Sequence, residues 1–266
     1  LPLPQATTLW PHAPEHRRSV LMKFGLWNIE HLSALKQRRA VRCATDLDLD
    51  GLVLVETWMT PHRILEQPDS SDWTRYDYIH VQECPDARRG KGGISLLVRS
   101  SLPLQLLHAD HASRLVIWRV GGVNLAAVYT EPSLPAAEYG AILDRLSIFA
   151  RTPRPEPIVV LGDFNARLGD YVGDHAANNR KLATLDFLAN AGLDLLNVRL
   201  RRDPSRWSLL NRRGDRSIVD LAMAARTPCA ALSVSSPPSP TDHQLLVVTV
   251  AAAAAGRLST GGRDGR

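Results

Sequence analysis

The chain has 266 residues, 44% of them hydrophobic, which suffices for one large domain or two small ones with a sizeable core. Three widely spaced cysteines, Cys43, Cys84 and Cys229, support neither a disulfide framework nor a C-x-x-C zinc site and fit a reducing compartment. No apolar run is long enough to span a membrane, and the N-terminus lacks the compact apolar core of a signal peptide.

The formal net charge of +5 suggests a polyanionic partner, yet residues 1–20 contribute +1 and residues 251–266 contribute +2, leaving only +2 for the rest. Distribution therefore matters more than the sum. Residues 1–20, with four prolines and no periodicity, and residues 251–266, an alanine run followed by Gly, Arg, Ser and Thr, read as flexible or linker segments. They flank one expected domain over 21–250. The first residue is Leu rather than Met, which suggests a segment excised from a longer polypeptide.

Between the tails, strands and helices alternate. Residues 22–28 read as a strand, Ser33 caps a helix running to about Asp46, and Gly51 opens an apolar strand to Glu56. Residues 92–98, 114–120 and 123–129 read as strands, the last two joined by the turn Gly121-Gly122. A helix over 137–150 precedes a central strand over 158–162. Leu182, Leu185 and Leu188, with Phe187 alongside, recur at helical spacing and read as core, with Gly192 as the C-cap. Strands around 207–210, 217–223, 231–234 and 245–250 complete the pattern. Many strands and few long helices imply packed sheets with helices on their outer faces, an α/β sandwich.

Five apolar runs close on a polar group: Leu26-Trp27-Asn28, Leu52 to Glu56, Leu125 to Tyr129, Val159 to Asp163-Phe164-Asn165, and Ser217-Ile218-Val219-Asp220. The pair Asp242-His243 opens the last strand. Singly, Asn28 reads as a turn former, Glu56 as a loop cap, Tyr129 as a core aromatic and Asp220 as a strand-end turn residue. Asp163-Phe164-Asn165 is more specific, because a buried strand has no reason of its own to finish Asp-x-Asn. Arg89-Gly90-Lys91-Gly92-Gly93 lacks the G-x-x-x-x-G-K-[ST] spacing of a phosphate loop.

Taken in order, Asn28, Glu56, Tyr129, Asp163, Asn165, Asp220, Asp242 and His243 resemble the endonuclease/exonuclease/phosphatase family of metal-dependent phosphodiesterases. The resemblance implies a DNase I-like sandwich of two mainly antiparallel sheets flanked by helices. It implies Mg²⁺, for which Mn²⁺ can substitute, held principally by Glu56 with Asn28 beside it and Asp242 nearby; oxygen ligands suit such a cation. Asp163 would orient and deprotonate the attacking water, and Asn165 would bind the phosphate. His243 would contact the scissile phosphate, oriented and charged by Asp220, and Tyr129 would donate its hydroxyl to the phosphate or the leaving group.

Within the family, Ser217 stands where abasic-site nucleases carry a tryptophan, the disulfides of pancreatic-type DNases are missing, and so is the Trp-Cys-Asp-Arg of inositol-phosphate phosphatases. The stretches Gly162 to Gly169, Gly173-Asp174-His175, Asn178-Asn179-Arg180, Ser205-Arg206-Trp207 and Ser217 to Leu221 instead resemble the apurinic-like endonuclease domain of LINE-type (non-LTR) retrotransposons. That implies a nick in one strand of double-stranded nuclear DNA, leaving a 3′-hydroxyl that primes a reverse transcriptase carried by the same polyprotein. Seven arginines against two aspartates in residues 199–216 read as a phosphate-binding rim. Within it a hairpin over 207–217 would approach the minor groove with Arg206, Arg212, Arg213 and Arg216, and Ser205 or Ser208 would face the target nucleotide. The alternatives are another phosphodiesterase or phosphatase of the same fold, acting on abasic DNA or on inositol or lipid phosphates, and a noncatalytic nucleic-acid-binding module.

Overall fold

Apolar runs in this chain are short and bounded by turn residues, and the computed structural model, which describes residues 19–62, 65–79, 92–110, 112, 114–210, 214–227 and 231–253, folds them as strands. In chain order they are β1 (Ser19–Asn28), β2 (Gly51–Val55), β3 (Trp73–Tyr78), β4 (Ile94–Arg99), β5 (Leu104–Ala109), β6 (Leu115–Val120) and β7 (Val123–Tyr129). There follow β8 (Ile158–Asp163), β9 (Asp194–Leu195), β10 (Leu209–Leu210), β11 (Arg216–Ser217), β12 (Asp220–Ala225), β13 (Ala231–Ser235) and β14 (Leu245–Ala253). Among the described residues three α-helices intervene: α1 (Ala34–Asp46), α2 (Ala136–Arg151) and α3 (Lys181–Ala191). The Ser33 side chain accepts a bond from the Lys36 N–H and so caps α1. Gly192 stops α3 at φ +64°, a left-handed conformation that glycine adopts without Cβ strain.

One six-stranded sheet runs β13-β14-β1-β2-β4-β3 and the other β5-β6-β7-β8-β12-β9, while β10 and β11 form a separate pair. Each large sheet holds one parallel pair, β1 with β2 and β7 with β8, and is otherwise antiparallel. Alternation along the strands sorts the side chains into layers. Val53 and Val55 face inward with Phe24 and Leu26, meeting Leu125, Ala127, Val159 and Leu161 of the other sheet. Leu52 and Leu54 face outward with Trp27, under Ala40 and Ala44 of α1. Ala126, Val128 and Val160 lie under Tyr139, Ile142 and Leu146 of α2 and Phe187 of α3. Central strands buried on both faces read as unbroken apolar runs for this reason.

The topology places the polar strand ends at one edge. In each sheet the two parallel strands finish there, and an antiparallel neighbour, β14 or β12, begins there. Gly162 sits at the closest approach of β7 and β8: a Cβ on it would lie 2.3 Å from the Val128 carbonyl oxygen and 2.7 Å from the Val128 Cβ. Gly162→Ala is therefore expected to cost about 2 kcal/mol of stability, read from the denaturant midpoint, and to shift Asp163 beside it. An unchanged midpoint would contradict the close approach.

Two expectations need correction. The strand expected over 217–223 is two, β11 and β12, because side chains take the backbone N–H groups between them: Ile218 donates to Asp174 Oδ2 and Val219 to Ser208 Oγ. Leu182 is 72% exposed, and the buried face of α3 is Thr184, Phe187, Leu188 and Ala191; a spacing of three retreats about 60° per step around a helix. Strands β3 and β5 also went unforeseen, both edge strands with mixed burial. The terminal segments expected to be flexible lie largely outside the described residues.

Candidate active site

At the shared edge, register aligns Tyr129 with Asp163 across β7 and β8, and Asp163 with Asp220 across β8 and β12. From the other sheet, Asn28 ends β1 opposite Val55, so Glu56 is the next residue along, and His243 lies just before β14. The two sheets meet through these side chains. Asn28 Nδ2 donates to Asp163 Oδ2 at 3.0 Å and lies 3.4 Å from His243 Nε2. His243 Nδ1 donates to Asp220 Oδ2 at 2.8 Å.

Electrostatics follow from burying several carboxylates together. Burial, then the Asp220 charge, pushes the Asp163 carboxyl up to about 7, opposed by His243 and by the hydrogen bond from the Asn165 N–H. Burial would lower the His243 imidazole, but Asp220, then Asp163 and Glu56, outweigh it and raise it to about 10. The imidazole is thus a cation at neutral pH, held by a carboxylate in one orientation. Burial, then Glu56 and Asp163, holds the Tyr129 hydroxyl well above the ordinary phenol range, so it stays a proton donor.

Asp163, Asp220 and His243 offer ligand atoms within 4.8 Å of one another. Within that group His243 is bonded to Asp220, and Asp163 is bonded to Asn28. A divalent cation nevertheless fits this edge. Three carboxylates, Glu56, Asp163 and Asp220, face one imidazolium, and Asp220 Oδ1 is buried without a partner. The excess is negative and the donors are oxygens, which suits a hard cation. Backbone strain is concentrated here too. Of the seven described non-glycine residues with positive φ, Glu30, His31, Glu56, Trp58 and Asn165 lie in the loops that build this edge.

The other expected residues are placed as follows. Asn165 folds back, its N–H on Asp163 Oδ1 and its Nδ2 on the Thr130 carbonyl. Asp242 enters through its backbone, its N–H donating to Glu30 Oε1 and its carbonyl accepting from Leu210 N–H. Ser205 is exposed and donates its hydroxyl to Asp203 Oδ1. Ser208, the other serine offered to face the target nucleotide, is fully buried, its Oγ accepting from the N–H groups of both Val219 and Asp220 at 3.0 Å. Arg206 lies over the Trp207 ring at 4.0 Å and donates to the Gly173 carbonyl. Arg216 is exposed on β11, and Arg212 and Arg213 lie outside the described residues. Beside the β10–β11 pair opens a pocket of about 550 Å³ lined by Arg167, His175, Leu209, Gly214, Arg216 and Ser217 among others.

A family model described as the endonuclease/exonuclease/phosphatase family matches residues 25–243. The chain belongs to this family. It is accordingly a hydrolase of phosphoester bonds. No curated protein matches the chain. Among solved structures it is similar to the endonuclease domain of TRAS1, a telomere-specific non-LTR retrotransposon, with a TM-score of 0.65 at 14% identity over 86% of this chain and 98% of that one. It is similar to an AP endonuclease from Archaeoglobus fulgidus, with a TM-score of 0.61 at 13% identity over 85% and 98%. It is also similar to the 3′ phosphatase NExo from Neisseria bound to product DNA hairpin, with a TM-score of 0.64 at 17% identity over 85% and 98%. These likenesses establish the DNase I-like fold.

In this family member two positioning groups escape a sequence reading. Asp174 is buried, receiving Arg167 and the N–H groups of Ala176 and Ile218, and so ties the loop after β8 to the entry of β12. Ser208 does the same for Asp220, and its carbonyl accepts from Gln244 N–H, next to His243. Ser208 lies between the apolar Trp207 and Leu209, whereas Asp174 lies between Gly173 and His175, so no shared local pattern marks their positioning roles in the sequence.

Proposed function

We propose that this chain is a Mg²⁺-dependent endonuclease of the non-LTR retrotransposon type. It nicks one strand of nuclear double-stranded DNA in a reducing compartment and leaves a 3′-hydroxyl for a reverse transcriptase of the same polyprotein. The observation that carries the hydrolytic part is the convergence of two hydrogen-bonded pairs at the shared edge, His243 on Asp220 and Asn28 on Asp163, with Asn28 Nδ2 3.4 Å from His243 Nε2. In this reading Asp163 orients the attacking water and accepts its proton, and the His243 cation, fixed by Asp220, faces the negative phosphate. Tyr129 donates to phosphate or leaving oxygen, and Asn165 contributes to phosphate binding. Glu56, with Asn28 and Asp242 nearby, would hold the ion, which supplies charge neutralisation for the phosphate oxygens.

DNA as substrate is supported by the likeness to a retrotransposon endonuclease domain and by the arginines around β10 and β11. Conversion of supercoiled plasmid to open circles with Mg²⁺, blocked by EDTA, tests the reading; extension of the nick by a polymerase without end repair tests the 3′-hydroxyl. Hydrolysis confined to phosphomonoesters or to abasic DNA would replace it.

Variants of the hairpin have to spare Ser208, because that residue braces Asp220. Replacing Arg212, Arg213 and Arg216 together by Ala is expected to move the nick positions and to flatten the salt dependence of DNA binding by about one log-log unit per lost phosphate contact. Nicks mapped on a long duplex at several salt concentrations check this. An unchanged map and slope would mean that these arginines only solvate the hairpin.

A further inference from the structure

Arg180 precedes α3 and is 6% exposed. Its hydrogen bonds go to neutral oxygens. Nη1 donates to Thr130 Oγ1 at 3.0 Å and to the Phe164 carbonyl at 2.8 Å, while Nη2 donates to the carbonyls of Glu131, Pro132 and Leu134. The guanidinium lies over the Tyr139 ring at 4.7 Å, and Tyr139 shares a hydrogen bond with Thr184, which bonds back to the Arg180 carbonyl. A buried cation is expensive unless its donors are satisfied, and here one planar group satisfies them on two separate turns.

Those turns are the ones that leave the active-site strands. Thr130 to Leu134 follow Tyr129 at the end of β7, and Phe164 follows Asp163 at the end of β8. Asn165 Nδ2 also donates to the Thr130 carbonyl, and Thr130 Oγ1 donates to the Phe164 carbonyl. A helix cap alone would not require this arrangement, since a serine or aspartate caps at far lower desolvation cost. Lysine could not reproduce it, because an ammonium lacks the fork that reaches both turns in one plane.

We propose that Arg180 is a positioning residue for phosphoester hydrolysis, clamping the turns after β7 and β8 so that Tyr129, Asp163 and Asn165 hold their mutual spacing. The inference rests on the hydrolytic roles given above to those three residues, and it concerns turnover rather than DNA binding.

Arg180→Lys and Arg180→Met, assayed on plasmid DNA and on bis(p-nitrophenyl) phosphate well below their thermal midpoints, distinguish a clamp from a staple of the fold. Misplacing reacting groups by about an ångström costs on the order of 100-fold. The expectation is a kcat lower by about that factor in Arg180→Met, a smaller loss in Arg180→Lys, and a KM within about twofold of wild type. Wild-type kcat with a lowered midpoint, or a raised KM at constant kcat, would overturn the proposal. If neither variant folds, Thr130→Val removes one acceptor and the bond to Phe164 while keeping the cation; it should lower kcat at constant KM, and a wild-type kcat there overturns the clamp. Wild-type inactivity on plasmid with activity on the small diester would refute the DNA reading alone and leave the Arg180 comparison readable.

Discussion

Asp163→Asn is expected to lower hydrolysis by about 10³-fold or more while leaving a folded protein that, in metal-free buffer at pH 8, is at least as stable as wild type. The loss follows from geometry, since Asp163 is the carboxylate that both sheets converge on, through Asn28 from one side and the Asn165 backbone from the other. The stability follows from linkage. With a folded carboxyl near 7 against an ordinary 3.8, the contribution of Asp163 to stability is fully present below pH 3.8 and is lost as pH rises through about 7. At pH 8 the charged group opposes folding, and the amide removes that opposition, keeping the bond from the Asn165 N–H at the cost of the one from Asn28 Nδ2. His243→Ala should abolish activity with the opposite signature. Its folded pKa near 10 exceeds the ordinary 6.5, so its contribution is fully present below pH 6.5 and disappears as pH rises through 10. The alanine variant should be less stable than wild type at pH 7 and lose that deficit towards pH 10. Thermal midpoints against pH in EDTA, with a nicking assay in Mg²⁺, check both; wild-type turnover in either variant would remove it from the mechanism.

The strand ends were legible because their pattern is local. A run such as Val159 to Gly162 needs burial on both faces, and a polar residue closing it has to sit at an edge. Five such runs therefore read as five contributions to one rim, whatever the strand order. Layering was legible for the same reason, while strand order required the family resemblance. What stayed hidden depends on contacts between residues distant in sequence. Ser208 reaches the Asp220 N–H, Asp174 reaches the Ile218 N–H, and Arg180 reaches the carbonyls of Thr130 and Phe164. These partners are backbone atoms, which carry no residue-type signal, so periodicity and composition cannot reveal them. The edge strands β3 and β5 escaped because one half-exposed face leaves too few apolar residues to establish a period. Ser208 illustrates what burial adds: the resemblance offered it, as an alternative to Ser205, for a nucleotide contact, and its buried hydroxyl accepts the backbone bonds that hold Asp220.

Glu56→Gln is expected to raise the Mg²⁺ concentration needed for half-maximal activity by about 100-fold, and to remove most of the metal's effect on stability. The side chain keeps its shape, and its backbone conformation at φ +55° is unchanged by the substitution, so the variant isolates charge. Glu56 is the carboxylate whose field reaches Asp163, Tyr129 and His243 together, and it is partly exposed where Asp163 and Asp220 are buried. A divalent cation arriving from solvent would meet it first. A ligand that binds only the folded state stabilises it by RT ln(1 + [L]/Kd), about 2.7 kcal/mol at a hundred times Kd. The thermal midpoint of wild type should therefore rise across a Mg²⁺ titration, and that of Glu56→Gln should rise only at far higher concentrations. Mn²⁺ should restore part of both effects, since it binds the same oxygen donors more tightly. This pair of readouts separates the ion from the chemistry, because the midpoint shift needs no substrate and no turnover. Equal Mg²⁺ titrations of wild type and Glu56→Gln, in midpoint and in activity, would place the ion elsewhere on the chain.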